Sequence, residues 1–104
     1  VDLVRSAGVE VKSSAELIQR LSAVLDARQR EAHFEAGRRV DAIRNEAFQL
    51  VASECGQIRE TDVREFILKR FRQSGLSTDH GPVVAVKEHS GDPHYEPKLG
   101  SDYV

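Results

Sequence analysis

All three prolines (Pro82, Pro93, Pro97) and four of the seven glycines (Gly75, Gly81, Gly91, Gly100) lie in the last thirty of the 104 residues. Proline removes a backbone donor and fixes φ, and glycine carries the largest backbone entropy, so both break regular elements. The chain therefore divides by punctuation alone. A body free to build long helices precedes an extended, turn-rich end.

Within the body, Ser13 and Glu16 have the spacing of a capping box, with Leu17, Ile18, Leu21, Val24 and Leu25 on one helical face behind them. Upstream, Gly8 is placed to close an earlier helical turn, and Val9-Glu10-Val11 alternates as a short strand does. Asp26 and Gln29 offer a second cap, opening a long helix over Ala27 to Glu54. Its stripe is Ala32, Ala36, Val40, Ile43, Ala47, Leu50 and Val51, rich enough in alanine for a neighbour to approach closely. Charges of alternating sign fill the remaining faces, many of them three or four residues apart. Gly56 follows this helix as a C′ residue. A third helix is expected over Glu60 to Gln73, with Val63, Phe66, Ile67 and Phe71 inward and Gly75 as its stop.

Residues 82–86, Pro-Val-Val-Ala-Val, form an apolar run of strand type without alternation. The fold class expected is thus α+β: two or three amphipathic helices, then a strand, then a loop. One strand cannot satisfy its own backbone N–H and C=O groups, so its partners are expected beyond Val104 or from another chain. The absent initiating methionine and abrupt start give the same expectation, a piece of a longer protein.

Composition excludes several classes. Fifteen basic and 17 acidic side chains give a net charge of −2, which argues against a nucleic-acid binder built on electrostatics. No apolar run is long enough to span a bilayer and no signal peptide is recognisable, so the expected location is cytoplasmic and without a membrane partner. The single cysteine cannot form an internal disulfide.

The residues able to carry chemistry gather near the end. His80, His89 and His94 lie close in sequence to Asp79, Glu88, Asp92 and Glu96. Were residues 92–96 extended, Asp92, His94 and Glu96 would share one side and Pro93 and Tyr95 the other. That segment reads either as a solvated turn or as a stiff functional loop following a buried strand. His89, Asp92, His94 and Glu96 are competent metal ligands, yet their spacing matches no specific metal signature. Cys55, ahead of Gly56, is expected to be a buried or half-buried structural thiol, not a nucleophile. His33 is expected in a solvated or interface role on the long helix, and the Arg38-Arg39 pair on a solvated helix face.

The stretch from Gly75 to Val86, followed by Gly91-Asp92-Pro93-His94-Tyr95-Glu96-Pro97, resembles Xaa-Pro aminopeptidase and prolidase-like metallopeptidases. These belong to the creatinase/methionine aminopeptidase family with its pita-bread fold. The resemblance spans residues 9–97 and is most specific over 75–97. It implies that residues 1–25 are the tail of a preceding domain with its linker helix. Residues 26–104 would then be the first part of a catalytic domain, a partial pita-bread fold.

The activity implied is hydrolysis of an N-terminal or dipeptide bond, often before proline. In the family two divalent ions (manganese, cobalt or zinc) hold the attacking water. The resemblance gives His94 the family's substrate-side role, hydrogen bonding to the tetrahedral intermediate, and makes His94 and Tyr95 substrate-binding residues. Two departures stand out. Arg59 occupies a position where relatives often carry threonine, so the helix start is expected to be poorly capped or moved to Thr61. The family's metal ligands lie after the His94 loop, and Asp102 is no convincing match for the first of them. The chain is therefore expected to hold no metal alone and to be inactive alone, with peptide as partner and a homodimer possible for the whole enzyme. The competing reading is a non-catalytic helical interaction module or a catalytically dead relative.

Overall fold

A computed structural model describes residues 2–100, 102 and 103. The chain divides into two units, Val1–His33 and Phe34–Val104.

In the first unit, α1 (Asp2–Arg5) closes with Gly8 N–H donating to the Arg5 carbonyl at 3.0 Å. The expected short strand over residues 9–11 is absent; these residues adopt no regular structure. α2 (Ala15–Ile18) begins one residue later than the Ser13 cap requires. Ser13 Oγ does accept the Ala15 N–H, at 3.2 Å, but Glu16 turns forward to Arg20 at 2.6 Å and the reciprocal half of the box does not form. The i,i+4 ion pair competes for the carboxylate that the cap would have used. The helix then widens into a π-helical turn, Gln19–Ala23, and Val24 leaves it with extended backbone. The apolar face expected here is exposed, Leu21 at 77% and Val24 at 70%. α3 (Ala27–Ser53) opens on the Asp26/Gln29 box as expected: Gln29 N–H donates to Asp26 Oδ1 at 2.7 Å, and Asp26 N–H donates to Gln29 Oε1 at 2.9 Å.

In the second unit the remainder of α3 packs with α4 (Glu60–Gln73). Ile43, Ala47 and Val63 are its buried apolar residues. Arg70 from α4 grips Glu46 from α3 with two bonds, Nε–Oε2 at 2.5 Å and Nη2–Oε1 at 2.9 Å. This bidentate fork fixes the register of the two helices. Arg39 Nη1 donates to the Ser74 carbonyl at 2.9 Å, placing a cation at the C-terminus of α4, where the helix dipole favours it. Arg38 and Arg39 also both bind Glu35, so the pair is engaged within the protein.

α4 starts at Glu60, not Thr61. Asp62 Oδ2 accepts the Arg59 N–H at 3.0 Å, supplying from the third helical position the cap that Arg59 was expected to lack. At its other end Leu76 N–H donates to Phe71 O and Gly75 N–H to Arg72 O, with Gly75 at φ +68°. This is a Schellman motif.

The expected α+β class, and with it a partial pita-bread architecture, is not what the chain forms. Among the described residues there is no strand. Residues 82–86 run along the open apolar groove between α3 and α4, beside Ile43, Ala47, Ile67 and Phe71. Apolar character drew them onto the helices, but no second strand lies alongside to complete a ladder. The Val86 N–H donates to a side chain, Glu60 Oε1, at 2.7 Å. The chain then turns at Lys87, a non-glycine residue at φ +53°, into a 3-10 helix, Lys87–Gly91. No helix is long and apolar enough to cross a membrane among the described residues.

Candidate functional site

The turn-rich end is organised around a single carboxylate. Glu60, in the first turn of α4, is 3% exposed. Its two oxygens accept the Val86 N–H, the Tyr95 hydroxyl at 2.7 Å, the Tyr103 N–H at 3.2 Å and His89 Nδ1 at 3.0 Å. Its own N–H donates to the Tyr103 carbonyl at 3.1 Å. Burial alone would raise the Glu60 pKa; the bonds from Tyr95, Val86, His89 and Tyr103 outweigh it and hold the carboxyl below its ordinary value. The ionised carboxylate accepts only, so Nδ1 of His89 carries a proton.

The His89 ring stacks on Tyr95 with centroids 4.1 Å apart and meets Tyr103 at 4.6 Å. Lys87 Nζ lies 4.5 Å from the centre of the Tyr103 ring, and the Tyr103 hydroxyl donates to Glu88. The Tyr95 pKa is pushed up to about 12, by burial first and then by the Glu60 carboxylate it serves. Tyr103 is also raised, chiefly by its bond to Glu88. Asp102 closes the cluster. Its carboxylate accepts Thr61 Oγ1 at 2.5 Å, Gly100 N–H at 3.2 Å and Arg59 Nη1 at 3.3 Å. The Thr61 hydroxyl is the main cause holding its pKa down.

Residues 92–96 are not extended as the alternation argument required. Tyr95 N–H donates to the Asp92 carbonyl at 3.1 Å and His94 N–H to Asp92 Oδ1 at 2.8 Å, forming a tight Asx-stabilised turn. Asp92 spends its side chain on this turn, so His94 and Glu96 are not aligned with it on one side. His94 is exposed and Tyr95 half-buried. Both line a cleft of about 210 Å³, shared with Arg64 and residues 80–83, 93 and 96.

The structure thus brings His80, His94, Tyr95 and Glu96 to one cleft and gives His89 a separate, anchoring position. Cys55 is exposed, correcting the expectation of burial: it falls in the turn after α3, outside the helical stripe. His33 is exposed on α3. No group of three or more His, Cys, Asp or Glu side chains is arranged to hold a metal ion among the described residues.

Glu60 and Arg64 were not singled out by sequence. A signal existed: Glu60 shares a helical stripe with Val63, Ile67 and Phe71, and a carboxylate on an apolar stripe must find buried partners. No family model, curated protein or solved structure matches this chain.

Proposed function

We propose that the chain is the substrate-side part of a metal-dependent aminopeptidase or dipeptidase of the Xaa-Pro peptidase type, acting in the cytoplasm on peptide. His94 hydrogen-bonds the carbonyl oxygen of the bond under attack, and Tyr95 forms the adjoining wall. One observation carries this reading: an exposed imidazole stands in a small cleft beside a tyrosine whose hydroxyl is tied to a buried carboxylate. A donor on a short turn, backed by a locked neighbour, is the kind of preorganisation that stabilises a developing oxyanion.

Two divalent ions (manganese, cobalt or zinc) belong to the reading, but the donor set present does not fit them. His89 Nδ1 is committed to Glu60, and Asp102 to Thr61, Gly100 and Arg59. This chain's share is confined to binding and orienting the peptide.

Assays of Xaa-Pro dipeptides and longer Xaa-Pro peptides with added manganese or cobalt test the division of labour. The 104-residue chain is expected to give no turnover. In the whole protein, His94→Ala is expected to lower kcat by about 10²-fold with metal content unchanged; equal loss of metal would overturn the role given to His94. The coding sequence past Val104 is expected to supply two aspartates, a histidine and two glutamates.

A second reading, a helical interaction module, is favoured by the open groove of about 500 Å³ along α3 and α4. A stop codon directly after Val104 would favour it over the peptidase.

A further inference from the structure

Residues 81–86 run without turn or bend, and Val86 at their end has extended backbone, φ −127° and ψ 162°. In an extended segment successive residues turn their N–H and C=O groups to opposite edges. The two edges of this segment differ. Glu60 Oε1 accepts the Val86 N–H at 2.7 Å, so the edge carrying the groups of Val84 and Val86 faces Glu60 of α4. Pro82 shares that inner edge and has no N–H to satisfy. The outer edge presents the N–H and C=O of Val83 and Ala85. Neither residue makes a hydrogen bond among the described residues, although Ala85 is half-buried.

Backbone groups at half-buried positions ordinarily find partners, because an unmet one costs as much as a lost hydrogen bond. An open edge is a template for another strand and is usually guarded by charge, a bulge or cover. Residues 82–86 carry no charge. They border the open groove of about 500 Å³, walled by α3 at Val40, Phe48 and Val51. Phe48 is 68% exposed and Val83 56%. A covering group thus needs both the backbone of a strand and apolar side chains. A helix or a lipid chain laid on the groove would leave the Val83 and Ala85 groups unmet.

We propose that this edge pairs with the same edge of a second copy, antiparallel about a two-fold axis at Val84. Val84 stands opposite Val84 of the second copy. The Val83 N–H of each copy donates to the Ala85 carbonyl of the other, and the Ala85 N–H to the Val83 carbonyl. This register wastes no donor: the residue without an N–H, Pro82, and the N–H already engaged, that of Val86, both lie on the inner edge. It is self-complementary, as a two-fold interface requires. Charge favours the antiparallel sense. Asp79 precedes the run and Lys87 follows it, while Glu88 beside Lys87 is engaged by the Tyr103 hydroxyl. Antiparallel pairing brings the Asp79 end of each copy to the Lys87 end of the other; parallel pairing would set Lys87 against Lys87. The proposal is independent of the peptidase reading.

Sedimentation equilibrium and amide hydrogen exchange of the 104-residue chain, from micromolar to millimolar concentration, test the pairing. The chain is expected to pass from monomer to dimer. The Val83 and Ala85 amides should exchange about tenfold more slowly in the dimer, with the Val84 amide unchanged. Ala85→Pro removes one donor from each copy and is expected to weaken dimerisation about tenfold, with helical content retained by circular dichroism. In a Cys55→Ser background, Val84→Cys is expected to cross-link on mild oxidation, since opposed Cα atoms of a non-hydrogen-bonded pair lie about 4.5 Å apart. Val86→Cys is expected not to, because its counterpart is displaced by about 14 Å along the strand.

A chain that stays monomeric at millimolar concentration would overturn the proposal and leave the edge to a strand of another protein. A dimer whose Val83 and Ala85 amides exchange as fast as in the monomer, or which Ala85→Pro leaves intact, would overturn it in favour of contact through the α3 face alone. Cross-linking of Val86→Cys as readily as Val84→Cys would overturn the antiparallel register and the proposal with it.

Discussion

Glu60 concentrates in one side chain what four separate segments need. Val86, His89, Tyr95 and Tyr103 all donate to it, so the groove segment, the 3-10 turn, the His94 turn and the chain's end are tied to one helix. Since its folded pKa lies below the ordinary value, the stability it contributes is present above the ordinary carboxylate range and is lost as pH falls through the lower, folded value. Glu60→Gln should therefore be less stable than the parent at neutral pH, by on the order of 2 kcal/mol for loss of charge-assisted bonds at a buried acceptor. The gap should narrow as the medium is acidified below the carboxylate range. Urea unfolding at a series of pH values checks both; a gap independent of pH would mean that the carboxylate's charge contributes nothing.

Tyr95 titrates in the opposite sense. Its raised pKa means that its contribution persists at neutral and mildly alkaline pH and is lost only as pH approaches about 12. The ultraviolet tyrosinate band should accordingly be weaker at pH 10 than that of two ordinary tyrosines, each half ionised there, since Tyr103 is raised as well. In Glu60→Gln it should appear at lower pH. His94 and Tyr95 drew attention through the family resemblance of the stretch Pro93-His94-Tyr95-Glu96-Pro97, and the structure brings both to one cleft. Arg64 did not, because nothing local marks an arginine that lines the same cleft as residues 80–83.

Among the elements, those governed by neighbouring residues were legible and those needing distant partners were not. The Asp26/Gln29 box opens α3 and Gly75 ends α4, since both depend on contacts within a few residues. Ser13 and Glu16 had the same spacing as a working box, but Arg20 stood one turn ahead and took the carboxylate. The apolar run at 82–86 was read as a buried strand and is neither: Val83 and Val86 stay exposed and no ladder forms, because a strand is a statement about a partner as well as a sequence. The Schellman stop supplies a test of the local logic. Gly75 sits at φ +68°, where a β-carbon is disfavoured, and one placed there would meet Arg39 Nη1 only at an ordinary contact distance of 4.0 Å. Gly75→Ala should cost about 1 kcal/mol through backbone strain alone. The loss should appear in the midpoint of urea unfolding with little change in slope; a cost near zero would mean that the last turn of α4 rearranges freely.

For the whole molecule the deciding quantity is how little apolar surface is covered. Ile43, Ala47 and Val63 are the buried apolar residues among those described, while Phe48 is 68% exposed and Val40, Val51, Val83 and Val86 each more than a third. Most of these line one groove, so the exposure is a continuous face and not a scatter of single side chains. Burial of apolar surface is the main favourable term in folding, and three buried residues supply little of it against the entropy of ordering two long helices. Ordinary domains of this size melt with an enthalpy of about 60–80 kcal/mol. The 104-residue chain at low concentration should fall below half of that, in a broad transition, and should enhance the fluorescence of an apolar dye before it melts. Covering the groove should raise both enthalpy and Tm. A melt of full enthalpy that is independent of protein concentration would show that the helices need no further cover; a midpoint that climbs with concentration would identify a second copy as what lies on the groove.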